Sequence, residues 1–398
     1  MVSTVEIMIK SDQIEVAPVE FWVGDKTLLT RPCAAILNSR QAKYLSANQP
    51  WIQNTLHAAA WIAEHEMTLV TGIDLPTWEL GLWGTSEVLG YSATLVPVPD
   101  WANVDEINRI LTEKISDFGL MPQNALMIPF YEKNPRSPKK SWLPRDRWIL
   151  ENVSNLFPVS VRDGGSFADY LTYNTLSSKI HQQFRVSYNP KSEFKPSIPD
   201  SFKSLDDLGD WNYLTHWTRS TPRHWPGESS TSFYTDIVNP GSDYPRSAFE
   251  TLKHILDELQ IRASGSKMYQ NKKMVALSSA HPADMLNNMV WRRQQVRYSF
   301  EPYAIAIKRR PAEALGITKV RYGSSEERKG LTAAERIYFQ TDNSDDGVWR
   351  KEKEYRFRGD LTLTSLDPSD ILVLVPTEAE KEVIRAEYGL PAFALTDR

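Results

Sequence analysis

The sequence predicts an α/β Rossmann-like domain with a parallel sheet, followed by an α+β domain. Three observations carry this reading: apolar runs that alternate with helical segments in the first half, a polar stretch with three prolines at 187–210, and the loss of that alternation beyond it. With 398 residues and 41% hydrophobic content, the chain is long enough to bury two separate cores. The expected division is a domain at 1–186, a linker at 187–210 and a second domain at 211–398.

The first strand is "CAAILN" (33–38). It leads through a polar turn into "PWIQNTLHAAAWIAEHE", where Pro50 suits a first helical turn and Trp51, Leu56, Ala59, Ala60 and Ala63 recur at helical spacing. The unit then repeats: "TLVTG" (68–72), "ATLVPVP" (93–99), "ALMIPF" (125–130) and "LFPVSV" (156–161) are each followed by a helical segment. Short, continuously apolar strands joined by helices imply a parallel sheet covered on both faces. In such sheets ligands bind at the carboxyl ends of the strands, where helix N-termini offer free N–H groups to anions. The loops there are "NSRQ" (38–41), "TGIDLPTWE" (71–79) and "VRDGGSF" (161–167). Gly72, Gly164 and Gly165 would let backbone approach a phosphate, and Thr77, Ser166, Arg40 and Arg162 would complete the cradle.

Beyond residue 210 the apolar runs are short and amphipathic, with helical stretches at 246–259, 282–291, 311–315, 332–338 and 377–387. Three segments bear on chemistry: "LTHWTRS" (214–220) with His216, "RYSFEPYAIAIKR" (297–309) with Tyr303, and "VWRKEKEYRFRGDL" (348–361) with Glu352 and Glu354. If the last is extended, both carboxylates and Arg356 share one side of it. A histidine, an aromatic and a late glutamate are the residue types that seat nicotinamide adenine dinucleotide and polarise its N-glycosidic bond. The carboxylate holds a ribose hydroxyl and stabilises the cationic sugar, the imidazole orients the second ribose, and the aromatic ring stacks on nicotinamide.

Other chemistry has little footing. A single cysteine, Cys33, permits no intrachain disulfide and no cysteine cluster for zinc, so a reducing cytoplasm is the expected setting and no metal is expected. His57 and His65 lie eight residues apart on one helix, no serine stands in a G-x-S-x-G elbow, and no run approaches a membrane span. The formal net charge of -4 argues against bulk electrostatic binding of nucleic acid, although "WRRQQVRY" (291–298) and "KRR" (308–310) form local basic clusters with aromatics near them.

In order and spacing, "AAILNSRQ", "TLVTGIDLPTWEL" and "PRDRWILENVSNLFPVSVRDGGSF" resemble the SLOG superfamily, which includes the DprA DNA-processing proteins and the LOG nucleotide phosphoribohydrolases. The resemblance covers roughly residues 17–185. It implies a nucleotide-derived ligand on the loops at 71–79 and 161–167, with Arg145 and Asp146 ahead of the helix that leads to the last strand. Thr77 and Glu79 match part of the LOG signature, whose double glycine is not intact here. The elements "LTHWT", "SFEPYAIAIKR" and "WRKEKEYRFRGDL" resemble AbiGi-type abortive-infection families and, more remotely, ADP-ribosyltransferases of the DarT kind. That resemblance implies catalytic roles for His216, Tyr303 and Glu354, with Glu352 competing for the last.

The resulting expectation is a cytoplasmic, nucleotide-sensing enzyme of bacterial defence or stress that consumes NAD as substrate, by ADP-ribosyl transfer to a protein or nucleic acid or by glycohydrolysis. One alternative is a DprA-like protein that binds nucleotides or single-stranded nucleic acid without catalysis. Another is a LOG-like nucleotide N-glycosidase centred on Glu79 and Arg145. The oligomeric state stays open, a homo-oligomer among the options.

Overall fold

The computed structural model describes residues 22–132, 139–173, 179–265, 272–342 and 348–397. The chain divides into two compact units, Met1–Glu193 with Ser229–Gly241, and Phe194–Glu228 with Ser242–Arg398. Residues 229–241, placed by the sequence within the second domain, thus belong to the first unit.

The first unit is built on seven strands: β1 (Val23–Gly24), β2 (Cys33–Asn38), β3 (Thr68–Gly72), β4 (Tyr91–Pro99), β5 (Ala125–Glu132), β6 (Asn155–Ser160) and β7 (Lys179–Ile180). Their spatial order is β1-β5-β4-β3-β2-β6-β7, with every neighbouring pair parallel except β1 with β5. All residues of β2, β3 and β6 are buried, as strands covered on both faces must be. Helices α1 (Pro50–Glu64), α2 (Pro76–Glu87), α3 (Val104–Asp117), α4 (Lys139–Glu151) and α5 (Ser166–Tyr173) follow successive strands, and α6 (Ser230–Val238) is supplied from later in the chain. Proline opens both α1 and α2, where its missing N–H costs nothing, and the Asn103 side chain caps α3 by accepting from the Glu106 amide. One core joins Ala35, Leu37, Val70, Leu95, Ile128, Trp148 and Leu156. Cys33 lies at its edge, and burial pushes its thiol up to about 11, which leaves it inert as a nucleophile near neutral pH.

This strand order sets the position of the crevice. The chain steps outward from β2 through β3, β4 and β5, then returns to the other side of β2 to form β6. The reversal makes the carboxyl ends of β2 and β6 the topological switch point, where the first helices on either side diverge. At that place the register of β2 and β6 shifts between Leu37 and Asn38, an irregularity of the kind that re-aims side chains.

The second unit is α+β. Its seven-stranded sheet runs in spatial order Thr318–Lys319, Glu354–Arg358, Met274–Ser278, Tyr213–Trp217, Ala304–Lys308, Ile371–Val375 and Ala392–Ala394, with only the last pair parallel. One face carries a core of Leu214, Leu252, Leu277, Ile305, Val373 and Ile384, and a smaller cluster around Leu205, Met289, Ala304 and Leu374 forms another. The stretch expected as a linker contains a single short turn, Asp206–Leu208, and no strand, but its apolar residues are not free. Phe194 stacks on Tyr244 at 4.0 Å, and Leu205 is buried in the smaller cluster. A separate two-stranded ribbon pairs Trp291–Arg292 with Arg297–Tyr298. No helix among the described residues is long and apolar enough to cross a membrane.

Candidate functional site

Because β2, β3 and β6 are parallel, the loops 38–41, 71–79 and 161–167 all leave the same edge of the sheet. Two of them are bonded directly: the Arg162 amide donates to Ser39 Oγ at 2.9 Å, and the Ser39 amide donates to the Ser160 carbonyl at 2.8 Å. The glycine turn sits beside this junction. Gly164 has φ 62, and nothing lies within 4 Å of where a Cβ would project, so its backbone is open to a close approach. The Gly165 amide closes the turn on the Arg162 carbonyl at 3.1 Å, and α5 starts at Ser166, which is exposed. Arg162 and Arg40 are both exposed here. The arrangement gives free N–H groups at a helix start, with the Arg162 guanidinium close in sequence and Arg40 on the loop bonded to it, which is anion-binding chemistry.

Beside it are polar atoms the sequence did not single out. Asn38 is 4% exposed and donates through Nδ2 to Thr55 Oγ1 at 2.9 Å, while its Oδ1 is buried and has no partner. Gln41 donates through Nε2 to the Ser39 carbonyl and to Ser160 Oγ, both at 3.0 Å. Since a carbonyl only accepts, this fixes the orientation of the Gln41 amide, and its buried Oε1 is an acceptor with no partner. Buried acceptors are normally satisfied, and these two lack a partner at the switch point. The sequence signal for them was the polar pair bracketing "NSRQ" directly after an apolar strand.

The 71–79 loop is clamped from below. Arg145, only 1% exposed, donates through Nη1 to the Ile73 carbonyl at 2.7 Å, and through Nε and Nη2 to Asp146 Oδ1 at 3.1 and 2.8 Å. Its side chain occupies the space over Gly72: a Cβ there would lie 3.0 Å from Arg145 Cδ, so a larger residue would press on the Arg145 side chain and push it aside by a few tenths of an ångström. Trp78 Nε1 also donates to Asp146 Oδ1, at 3.2 Å. Burial drives the Asp146 carboxyl above its ordinary range, against the opposing pull of Arg145 and Trp78. Thr77 is buried in the first turn of α2. Glu79 is fully occupied: Oε1 accepts from the Asp74 amide at 2.7 Å and Oε2 from the Tyr234 hydroxyl at 2.7 Å. Arg145 and Glu79 therefore shape the loop, and Glu79 offers no oxygen without a partner for N-glycosidase chemistry.

In the second unit the sheet separates the residues that the transferase resemblance joins. Ser278 is directly opposite Glu354 on one side and Thr215 on the other, so these three side chains share a face. His216, next along its strand, points to the other face, as does Ile305 opposite it. Tyr303 packs against the core that contains Ile305 and Leu214. The imidazole bonds through Nδ1 to the Ala276 carbonyl at 2.9 Å, and burial lowers its pKa, which keeps it neutral. The Tyr303 hydroxyl donates to Glu380 Oε1 at 2.7 Å; burial and that carboxylate hold it protonated.

Glu354 meets Arg356 through two bonds, Nε to Oε1 at 2.8 Å and Nη2 to Oε2 at 3.0 Å. Glu352, expected on the same extended strand, instead ends a helical turn, and Lys353 between them has φ 43. Burial, then repulsion from Glu354, raises its carboxyl to about 7, against the pull of Arg292 and Arg356. The folded chain thus holds this proton more tightly than the unfolded one. Its contribution is complete below the ordinary carboxylate range and is lost as pH rises through about 7. Thermal melting of Glu352→Gln should therefore show a flatter pH profile between pH 5 and 8 and a gain at pH 8 of roughly 1–2 kcal/mol for this half-buried group. A profile parallel to that of the wild type would show that the carboxyl titrates normally.

No family model and no curated protein matches the chain. Among solved structures it is similar to DNA processing protein A from Helicobacter pylori, in a study of its single-stranded DNA binding mode, at 22% identity, 36% of this chain, 61% of that chain and a TM-score of 0.27. It is also similar to the molybdenum cofactor carrier protein from Chlamydomonas reinhardtii, at 14% identity, 38% of this chain, 74% of that chain and a TM-score of 0.24. The match spans about three fifths of the DNA processing protein. Likenesses this weak do not bear on the ligand. Among the described residues no group of three or more His, Cys, Asp or Glu side chains is placed to hold a metal ion.

Proposed function

We propose that the first unit binds a nucleotide at the carboxyl ends of β2 and β6, and that binding is its task there. The observation that supports this most is the pairing of an open glycine turn at an α5 start with the orphaned acceptors of Asn38 and Gln41. The turn suits a phosphate, and the acceptors suit the hydroxyl or amino donors of the same ligand. Calorimetric titration with adenosine and guanosine monophosphates, a cyclic nucleotide and NAD tests it. At least one should bind, and Arg162→Glu should weaken that binding by roughly tenfold or more by placing like charge at the phosphate. If none binds, or the variant binds equally, the proposal falls.

Catalysis on NAD by His216, Tyr303 and Glu354 has less support, because strand alternation sends His216 and Glu354 to opposite faces. Nucleic-acid binding has one specific feature in its favour. The ribbon 291–298 exposes Trp291 and sets Arg292 opposite Arg297, an arrangement suited to stacking a base and neutralising phosphates. A steeply salt-dependent affinity for a single-stranded oligonucleotide, lost on reversing Arg292, Arg293 and Arg297, would support that second role.

A further inference from the structure

We propose that Tyr234 is a positioning residue of the nucleotide crevice, through which occupation of the crevice and the seating of helix α6 rise and fall together. The inference rests on the nucleotide reading of the crevice and concerns its regulation. It starts at Asp74, whose φ of 75 is a left-handed backbone conformation that aspartate tolerates better than most residues with a Cβ but still at some cost. Glu79 is one group that holds it, its Oε1 accepting from the Asp74 amide. Glu79 is in turn held by Tyr234, whose hydroxyl donates to Oε2 at 2.7 Å across 155 positions of sequence. A carboxylate tied at both oxygens cannot swing, so the Tyr234 hydroxyl fixes where the Asp74 amide points.

Tyr234 is itself rigidly set. It is fully buried, with Trp83 stacked at 6.2 Å on one side and Phe118 at 6.5 Å on another. The start of α6 is pinned to the end of α3: the Ser230 amide and hydroxyl donate to the Asp117 carboxylate at 2.8 and 3.0 Å, and Thr231 Oγ1 donates to the Asp117 carbonyl at 3.2 Å. The chain on both sides of this helix belongs to the second unit. There its two ends are tied by a buried pair, Glu228 with Arg246, and Arg246 lies 3.8 Å from the ring of Trp225, which stacks on His254 at 4.0 Å. A ligand that orders residues 72–75 thus stabilises the Glu79 and Tyr234 contacts, and with them α6. By reciprocity, whatever unseats α6 loosens the crevice.

Tyr234→Phe removes the hydroxyl and keeps the ring packing. Amide hydrogen exchange on the unliganded variant should show faster exchange at residues 73–75 with little change in melting temperature, and adenosine monophosphate should bind roughly tenfold more weakly. In the wild type, adding the nucleotide should slow exchange across 230–238 as well as at the loop. Unchanged exchange at 73–75 in the variant overturns the positioning role, and a nucleotide that protects the loop without protecting α6 overturns the coupling. If no nucleotide binds the wild type, the functional reading fails and the coupling with it. The loop exchange of the unliganded variant still decides whether Tyr234 positions Asp74.

Discussion

Arg145→Met should lower the stability of the first unit by about 3–5 kcal/mol and abolish ligand binding at the crevice, because it removes the counter-charge of a buried carboxylate. Arg145 supplies two of the three bonds to Asp146 Oδ1, Trp78 Nε1 supplying the other, as well as the bond to the Ile73 carbonyl, and it is 1% exposed. Without it, a carboxyl already pushed up by burial keeps only the Trp78 indole N–H, and the Ile73 carbonyl loses its donor. For a unit of this size the loss corresponds to a fall of roughly 10 °C in melting temperature. The double variant Arg145→Met, Asp146→Asn should recover a good part of that, since the unpaired charge is gone. Arg145→Lys should recover less, because one ammonium cannot serve Asp146 and Ile73 in the geometry of the planar fork. Melting curves of the four proteins at pH 7 decide it. A single variant as stable as the wild type would mean that the buried pair contributes nothing.

Arg356→Met should have a comparable effect in the second unit, again about 3–5 kcal/mol. Arg356 is 5% exposed, and besides its two bonds to Glu354 it donates to the Ile337 carbonyl at 2.7 Å and to Gln340 Oε1 at 3.0 Å. Its loss strands Glu354 and a buried carbonyl, and it removes one of the two cations that restrain the Glu352 carboxyl. The Glu352 titration should therefore move further up, and the decline in stability between pH 5 and 8 should steepen. Adding Glu354→Gln should restore stability and reverse that steepening, because it removes the stranded charge and the main electrostatic cause of the Glu352 shift. A variant with an unaltered pH profile would show that Arg356 and Glu352 do not sense each other.

The parallel sheet was legible because its strands announce themselves. A run such as "CAAILN" or "TLVTG" is apolar on both faces, which only a doubly covered strand requires, and the loop positions follow from the carboxyl-edge rule. Residues that depend on long-range contacts were not legible. Nothing local in "TSFYTDIV" marks Tyr234 as a partner of Glu79, since a bond spanning 155 positions leaves no periodicity to read. Asn38 and Gln41 were passed over for a related reason: an orphaned amide is a property of packing, and the shift of register at Asn38 cannot be seen in a single strand. In the second domain the residue types of an NAD site were present, but spacing along a chain does not fix the face of a sheet. The same alternation that would set Glu352 beside Glu354 on an extended strand sets His216 away from Thr215, and so away from Glu354, once the register is known. For Glu352 the extended premise itself failed, because Lys353 takes a left-handed conformation and ends the turn before the strand begins.

The claim on which the rest depends is that a nucleotide occupies the carboxyl edge of the first sheet. Amide hydrogen exchange of the wild type, with and without the tightest-binding nucleotide from the titration, locates the ligand directly. Slowed exchange at 38–41, 72–75 and 162–166, spreading to 230–238 and nowhere else, is the predicted footprint. Protection that instead falls on 214–220 and 352–358, with those three loops unchanged, would contradict the account and return the ligand to the second unit.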